Sequence, residues 1–435
     1  MKRWFIDEQF RSLVRNSSYL ALSKGVAAIC VLTTLALTGR ALGAAMFGVL
    51  VLVDSYAATA SGLTKFQSWQ LIIRYGTPAL SRGEDQPFKD ATGFAFGLDV
   101  SSGLIGMVGA IALLPLIGHW FGIPADVVPL AMLYCLLLPT MAAATPTGVL
   151  RGLDRFDLIS WQGTATPISR ALCTIVAWWT EAPFEAYLAI WFLSDLAGDL
   201  FLWFLAVREL RRRGLYHGIE AMLRPRDLPG AWKFAINVNL TSSLQTAWGS
   251  FATLIVGAVL GPAAAGIYLV AKGLAGALEK PAELLAKVFY PEVLRLDFSS
   301  RRPWKFMLRG IALSGLIGGI AALVLVLGGD LLIGRLFGNE FAPAYPVLVA
   351  LLGATLINTM VFPVTPMLYA LDRTGVPLIA QALGAFVYVC AIIPLAHIFG
   401  IVGAALAFVI GNATSVGVSI AALAREYRRI RKVRM

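Results

Sequence analysis

Gly39-Arg-Ala-Leu-Gly-Ala-Ala-Met-Phe-Gly48 and Gly257-Ala-Val-Leu-Gly-Pro-Ala-Ala-Ala-Gly266 are two versions of one segment, 218 residues apart in a chain of 435. The same offset relates Leu153-Asp154-Arg155 to Leu371-Asp372-Arg373. An offset of 216 relates Leu116-Ile-Gly-His-Trp-Phe-Gly122 to Leu332-Ile-Gly-Arg-Leu-Phe-Gly338. Three matches in nearly one register predict two similar halves, 1–220 and 221–435.

Hydrophobic residues make up 58% of the chain and charged residues 14%, against about 25% charged in a typical soluble domain. That deficit predicts an all-α polytopic membrane protein. Crossing a ~30 Å hydrocarbon core takes about 20 apolar residues. Twelve charge-poor runs reach that length: about 18–38, 46–65, 91–117, 126–149, 158–179, 184–207, 234–259, 263–285, 309–329, 342–369, 376–398 and 401–424. They are the first to twelfth spans below. Runs this long favour helices over the short alternating strands of a barrel. Cys30, Cys135, Cys173 and Cys390 lie inside the runs without paired spacing and read as small buried hydrophobes.

With the amino terminus placed in the cytoplasm, 30 of the 36 Lys and Arg residues fall on cytoplasmic segments: the lead-in, 65–90, 151–157, 208–233, 286–309, 371–375 and the tail from 425. Only Arg40 and Arg335 fall on the outer links. This positive-inside bias predicts that both termini are cytoplasmic. It also accounts for the net charge of +11 without nucleic acid: Arg208, Arg211, Arg212, Arg213 and the basic tail are expected against anionic headgroups of the membrane lipids. Six spans per half is an even number, so both halves enter the membrane in the same direction. The expected architecture is therefore two six-helix bundles related by a pseudo-twofold axis along the membrane normal. The glycine-rich segments join spans one to two and seven to eight. The Leu-Asp-Arg segments join spans four to five and ten to eleven, where Asp154 and Asp372 are expected to cap the next helix and Arg155 and Arg373 to anchor at headgroups.

The outer links are short, and none could hold a catalytic domain. Only three histidines occur, His119, His217 and His397, with no metal-spaced cluster, nucleophile triad or P-loop. The chain is therefore expected not to be an enzyme and to need no cofactor or metal.

Asn16-Ser-Ser-Tyr-Leu20 before the first span, Gly39 to Gly48, and Arg74 after the second span resemble the polysaccharide-biosynthesis, O-antigen-type oligosaccharide flippases. Those belong to the multidrug/oligosaccharidyl-lipid/polysaccharide exporter superfamily. In topology the resemblance extends over the whole chain: twelve spans, two six-helix halves, and long inner links after spans two, six and eight. It implies a V-shaped pair of bundles that moves undecaprenyl-pyrophosphate-linked sugar units across the bacterial inner membrane for surface polysaccharide assembly, whether lipopolysaccharide or exopolysaccharide. The implied partners are the lipid-linked oligosaccharide, a polysaccharide polymerase and glycosyltransferases.

A charge in mid-membrane costs about 2.5–3.5 kcal/mol on insertion scales, so each one needs a reason. Lys24, Arg170 and Lys272 lie within spans one, five and eight and are candidate lumen cations for a pyrophosphate; Pro167, three residues before Arg170, is expected to break span five. Asp54 stands at the repeat position of Lys272, so the halves differ in charge there. Asp195 and Asp199, four apart, share a face of span six. These three acids are candidates either for ion pairing or for coupling to a proton or sodium ion. Asn237, Thr241 and Gln245 form a polar stripe on span seven that, with Trp248, suits sugar hydroxyls or interhelical hydrogen bonds. Trp161 and Trp191 are further candidates for stacking on a sugar ring. Alternating access by a flippase is the leading expectation. A cation-coupled multidrug exporter of the same superfamily is the alternative, although cationic substrates would favour acids over Arg170 and Lys272. A membrane enzyme of glycan assembly is the least favoured.

Overall fold

The computed structural model describes residues 8–225, 228–236, 239, 249–279, 289, 293, 302–371, 373 and 375–433, with side chains described between Gly25 and Ile430. Among the described residues every regular element is a helix and no strand occurs. Seven helical stretches are long and apolar enough to cross a membrane. Two of them, Gly25–Leu80 and Gly375–Ile430, run for 56 residues, the first with a non-helical stretch at 65–68, and 56 residues of helix would reach roughly 84 Å at about 1.5 Å per residue. That is far too long for one crossing. Each contains one glycine outside helical geometry, Gly43 (φ 70°, ψ 170°) and Gly400 (φ 59°, ψ −139°), so each is two spans.

The repeat is visible in backbone geometry. Gly261, the counterpart of Gly43, has φ 86° and ψ 172°, the same left-handed turn between spans seven and eight. Gly122 and its counterpart Gly338 have φ 80° and 96°. An L side chain is strained in this region, which is why glycine recurs at these links.

The fourth and tenth spans are both broken, at equivalent places. The fourth runs as Val128–Tyr134, a short 3-10 turn Cys135–Leu137, Leu138–Ala142 and Thr145–Gly152. The tenth runs as Ala344–Met360 and Val364–Ala370. Prolines at 139, 146, 363 and 366 remove helix donors at these points. The expectation for Pro167 is overturned: Phe156–Trp179 is one continuous helix through it.

The chain forms two compact units that cut it differently from the sequence halves. The first comprises Met1–Leu42, Tyr56–Gly118 and Pro124–Thr246; the second comprises Gly43–Ser55, His119–Ile123 and Ala247–Met435. The second span thus contributes to both. Phe88, Val149, Leu150, Leu205 and Leu210 form one core of the first unit, and Phe94, Leu98, Leu71 and Ala231 another. In the second unit Phe289, Val293, Met367, Leu368 and Leu423 pack together. Many large apolar side chains stay on the surface, Leu327 at 78% and Ile105 at 70% among them. Such exposure in water would be a liability, and it is what a lipid-facing helix requires. Cys173 and Cys390 are exposed, contrary to the expectation of burial, whereas Cys135 is buried.

Within the second unit the two copies of the glycine segment meet. A Cβ on Gly266 would lie 3.1 Å from the Cα of Gly48, its repeat counterpart, and one on Gly48 would overlap the Pro262 carbonyl. Contact between equivalent positions is what a twofold relation gives near its axis. Beside this crossing the Ala44 N–H donates to Glu340 Oε2 at 2.9 Å.

In the Leu-Asp-Arg segments the Arg155 and Arg373 N–H groups donate alike, to the Leu150 and Leu368 carbonyls, but the roles of Asp154 and of the two arginines differ from the expectation. Asp154 takes φ 57°, and the helix that follows begins after Arg155 with no side-chain cap. Asp154 is therefore a turn residue and not a cap. Arg155 is paired with Glu209 at 2.7 Å and with Asp157 at 2.9 Å, tying the four–five turn to the end of span six. Arg373 pairs with Glu426 at 2.8 Å at the corresponding place in the second unit. Both arginines engage protein carboxylates. The hydrogen bond from Arg155 holds the Asp157 carboxyl below its ordinary range. Glu209 also accepts from Arg213 Nε at 2.9 Å. Asp372 lies outside the described residues.

Candidate functional site

Sequence spacing on the sixth span sets out the site. Tyr187, Trp191, Asp195 and Asp199 recur every four residues on Phe184–Arg212, so they share one helical face. Tyr187 and Trp191 are buried to 0% and 4% exposure. Beside this stripe the first unit holds a cavity of about 250 Å³. Val31, Thr34 and Leu35 line it from span one, Thr166, Pro167 and Arg170 from span five, and Trp191 and Asp195 from span six.

Arg170 is the organising residue. Its guanidinium pairs with the Asp195 carboxylate, donates through Nε to Ser194 Oγ at 2.6 Å, and lies 5.4 Å from the centroid of the Trp191 ring. Tyr134 O–H points to the other Asp195 oxygen at 3.5 Å. A buried ion pair holds only when further hydrogen bonds satisfy both partners, and this one has them. Its side chains nevertheless keep 20% and 28% exposure, because the cavity reaches them. Trp191 Nε1, Tyr187 O–H and Thr38 Oγ1 are buried without a hydrogen-bond partner among the described residues. Thr38 follows Thr34 by one turn on span one, as Tyr187 precedes Trp191 by one turn on span six. A concentration of unsatisfied donors beside a cavity marks space that water or a polar ligand can use.

Below the ion pair the stripe continues. Asp199 faces Thr140 and lies within electrostatic reach of Lys65 and Asp195. Lys65 Nζ donates to the Met141 carbonyl at 2.7 Å. Asp99, on span three, is not part of the cavity. Its carboxylate accepts from Ser68 Oγ at 2.6 Å and from Ala144 N–H, Thr145 N–H and Thr145 Oγ1 at 2.7 Å each. Four hydrogen bonds offset the desolvation of that charge and close the break in span four.

In the second unit Lys272 Nζ donates to the Gly249 carbonyl at 2.9 Å and lies 6.0 Å from the Tyr268 ring centroid, with Glu279 just past the end of that helix. Asn358 donates to Glu279 Oε1 at 3.1 Å, and Asn412 donates to Asn358 Oδ1 at 2.9 Å. Asp54, half-buried, belongs to this unit with Lys272.

Of the residues singled out in the sequence, Arg170 and Asp195 are brought into direct contact, with Asp199 one turn away. The Lys24 side chain and Asn237, Thr241, Gln245 and Trp248 lie outside the described residues. Trp191 lines the cavity, while Trp161 is 71% exposed. Sequence reasoning missed Tyr134, Ser194 and Thr34, and the Glu279–Asn358–Asn412 chain. The four-residue spacing from Tyr187 to Asp199 was the readable signal for the first group. Asn358 and Asn412, isolated amides in apolar runs, were the signal for the second.

The model of the polysaccharide biosynthesis protein family matches residues 13–296. Inner membrane protein YghQ of Escherichia coli (strain K12) is 43% identical over 350 residues, which is 80% of this chain and 99% of that protein. Among solved structures, an inward-facing multidrug resistance MATE family transporter of the MOP superfamily superposes with a TM-score of 0.75 at 15% identity, covering 95% of this chain and 99% of that one. Lipid II flippase MurJ in an inward closed conformation gives 0.68 at 14% identity, covering 95% and 89%. At such identities the likeness is one of fold, the 12-helix, two-lobe architecture. The chain is a multi-pass membrane protein of that architecture, and it belongs to the polysaccharide biosynthesis protein family.

Proposed function

We propose that this protein is an alternating-access flippase that carries undecaprenyl-pyrophosphate-linked oligosaccharide units across the bacterial inner membrane for surface polysaccharide assembly. The observation that carries the reading is a cation, Arg170, held in a membrane-embedded cavity of a polysaccharide biosynthesis family member. Arg170, with Lys24 and Lys272, holds the pyrophosphate, while the lipid tail stays in the bilayer. Asn237, Thr241, Gln245 and Trp248 on span seven contact the sugars. Asp54, Asp195 and Asp199 serve ion pairing or coupling. Residues 1–220 rock against 221–435 to expose the site to each side in turn.

The name of the 43%-identical relative supports the inner membrane as location, and the positive-inside bias supports cytoplasmic termini. A polymerase and glycosyltransferases would consume and supply the substrate. If the headgroup carries about two negative charges, an inside-negative potential of ~100 mV favours export by roughly 4.6 kcal/mol.

The test is genetic and chemical. Deleting the gene should leave lipid-linked sugar units on the inner leaflet, and plasmid-borne Arg170→Gln or Lys272→Ala should fail to restore export while inserting normally. Normal export by both variants removes the cations from the mechanism.

A further inference from the structure

The cation proposed to hold the substrate is not waiting for it: Arg170 is already paired with Asp195. Asp195 holds Nη2 and Ser194 holds Nε, so a pyrophosphate that takes Nη2 has to displace that carboxylate. The cavity opens on both partners, so the ligand and Asp195 compete for that nitrogen.

Displacement leaves a carboxylate inside a helical bundle without its guanidinium. Among the described residues the groups that face it are few. Tyr134 on span four offers one hydroxyl at 3.5 Å, Ser194 on its own helix hydrogen-bonds Arg170, and Thr34 on span one lines the same cavity. Asp199, one turn along, is a second acid, and Lys65 on span two is already bound to the Met141 carbonyl. None of these replaces a guanidinium, and a second acid one turn away disfavours a free negative charge further. A desolvated carboxylate that loses its cation and faces a like charge takes up a proton.

We infer that Asp195 is the proton acceptor linked to anion binding at Arg170: a pyrophosphate replaces the carboxylate on the guanidinium, and Asp195 binds one proton as it leaves. One O–H bond forms, on the Asp195 carboxyl, and the proton is drawn from the buffered aqueous phase by way of water in the cavity that Trp191 lines. When the anion departs, Asp195 releases the proton and pairs with Arg170 again. Anion binding therefore tightens as pH falls, by up to about tenfold per pH unit over the range where one proton is linked. Asp195→Asn, an uncharged near-isostere, binds the anion without proton uptake and more tightly at high pH. The inference rests on the reading that Arg170 holds the headgroup.

The experiment is calorimetric titration of inorganic pyrophosphate into the full chain in lipid nanodiscs, in buffers of different ionisation enthalpy. Comparison with Asp195→Asn cancels protons taken by the ligand itself. The expected result is binding that is lost in Arg170→Gln, with up to one proton more taken up by the unaltered protein than by Asp195→Asn. Equal proton counts with binding still dependent on Arg170 overturn the exchange and leave the function standing. Binding that is absent, or unaffected by Arg170→Gln, overturns both. If Asp195→Asn does not purify, sulfate, which does not titrate between about pH 5 and 8, replaces pyrophosphate on the unaltered protein. Affinity independent of pH then overturns the exchange.

Discussion

The broken fourth span and the broken tenth span solve one problem in two ways. A helix that stops and restarts inside a membrane leaves backbone N–H groups without partners, at several kcal/mol each if they stay unsatisfied. At the fourth span a buried carboxylate answers: Asp99 takes the N–H groups of Ala144 and Thr145. At the tenth, the position equivalent to Thr145 is Pro363, which has no N–H to satisfy. On either side of it the Val361 and Val364 N–H groups bond to the Ile357 and Val361 carbonyls. On the 216 offset Asp99 corresponds to Gly315, and the neighbouring Ser314 bonds the Met360 carbonyl at 3.4 Å.

The same exchange occurs at the glycine links. Ala44 N–H is met by Glu340, whereas its counterpart is Pro262, and Glu340 itself corresponds to Pro124. In both cases a carboxylate serves a donor in the first copy and a proline deletes that donor in the second. Asp99 within the membrane and Glu340 at an outer link are thus explained by backbone chemistry, whereas Asp195 lines the cavity, with Asp199 one turn away.

The largest effect should come from Asp99→Ala, which leaves two N–H groups buried and unpaired. A loss of about 4 kcal/mol is expected, read as a fall in the melting transition of the detergent-solubilised protein. Ser314→Ala at the counterpart break should cost about 1 kcal/mol or less; equal losses would dissolve the contrast. Gly48→Ala forces a methyl into the Pro262 carbonyl and should cost about 2–3 kcal/mol. Gly276→Ala, where a Cβ meets nothing within 4 Å, should be neutral or stabilising.

Glu340→Ala should cost about 1 kcal/mol, as loss of a capping acceptor does. Because Gly43 already has the geometry of Gly261 before Pro262, Ala44→Pro should be tolerated, and in that background Glu340→Ala should lose its effect. An additive double-mutant cycle would contradict the proline-for-carboxylate account.

The smallest effect separates the two arginine ties. Asp157 has a lowered carboxyl pKa in the folded state. Its stabilisation is therefore present above the unfolded carboxyl range, near pH 4, and lost as pH falls through the folded value. Arg155→Ala should flatten that acid limb of the melting curve. Arg373→Ala should change it less, because Arg373 is 42% exposed against 24% for Arg155.

Much of this architecture was legible in the sequence. The 218 offset carried the links at Gly43 and Gly261, and long apolar runs carried the spans, because hydrophobic length is imposed by the bilayer directly. The prolines at 139, 146, 363 and 366 made kinks in the fourth and tenth spans legible, but not the breaks at Ala143 and Val361 themselves. Prolines mark a weak point, yet Pro167 leaves its helix intact, and only tertiary partners such as Asp99 decide whether a helix opens. At the site, Arg170 and Asp195 were identified separately by the cost of charge in lipid. Their pairing was not, since it depends on how spans five and six face each other.

The most direct measurement of the central claim is transport itself. The purified chain is reconstituted into vesicles with an undecaprenyl-pyrophosphate-linked sugar in the inner leaflet, under an inside-negative potential. The account predicts that the sugar becomes accessible to an external lectin, and that Arg170→Gln abolishes its appearance while reconstituting equally well. Appearance at the same rate with Arg170→Gln, or none above protein-free vesicles with the unaltered chain, would contradict it.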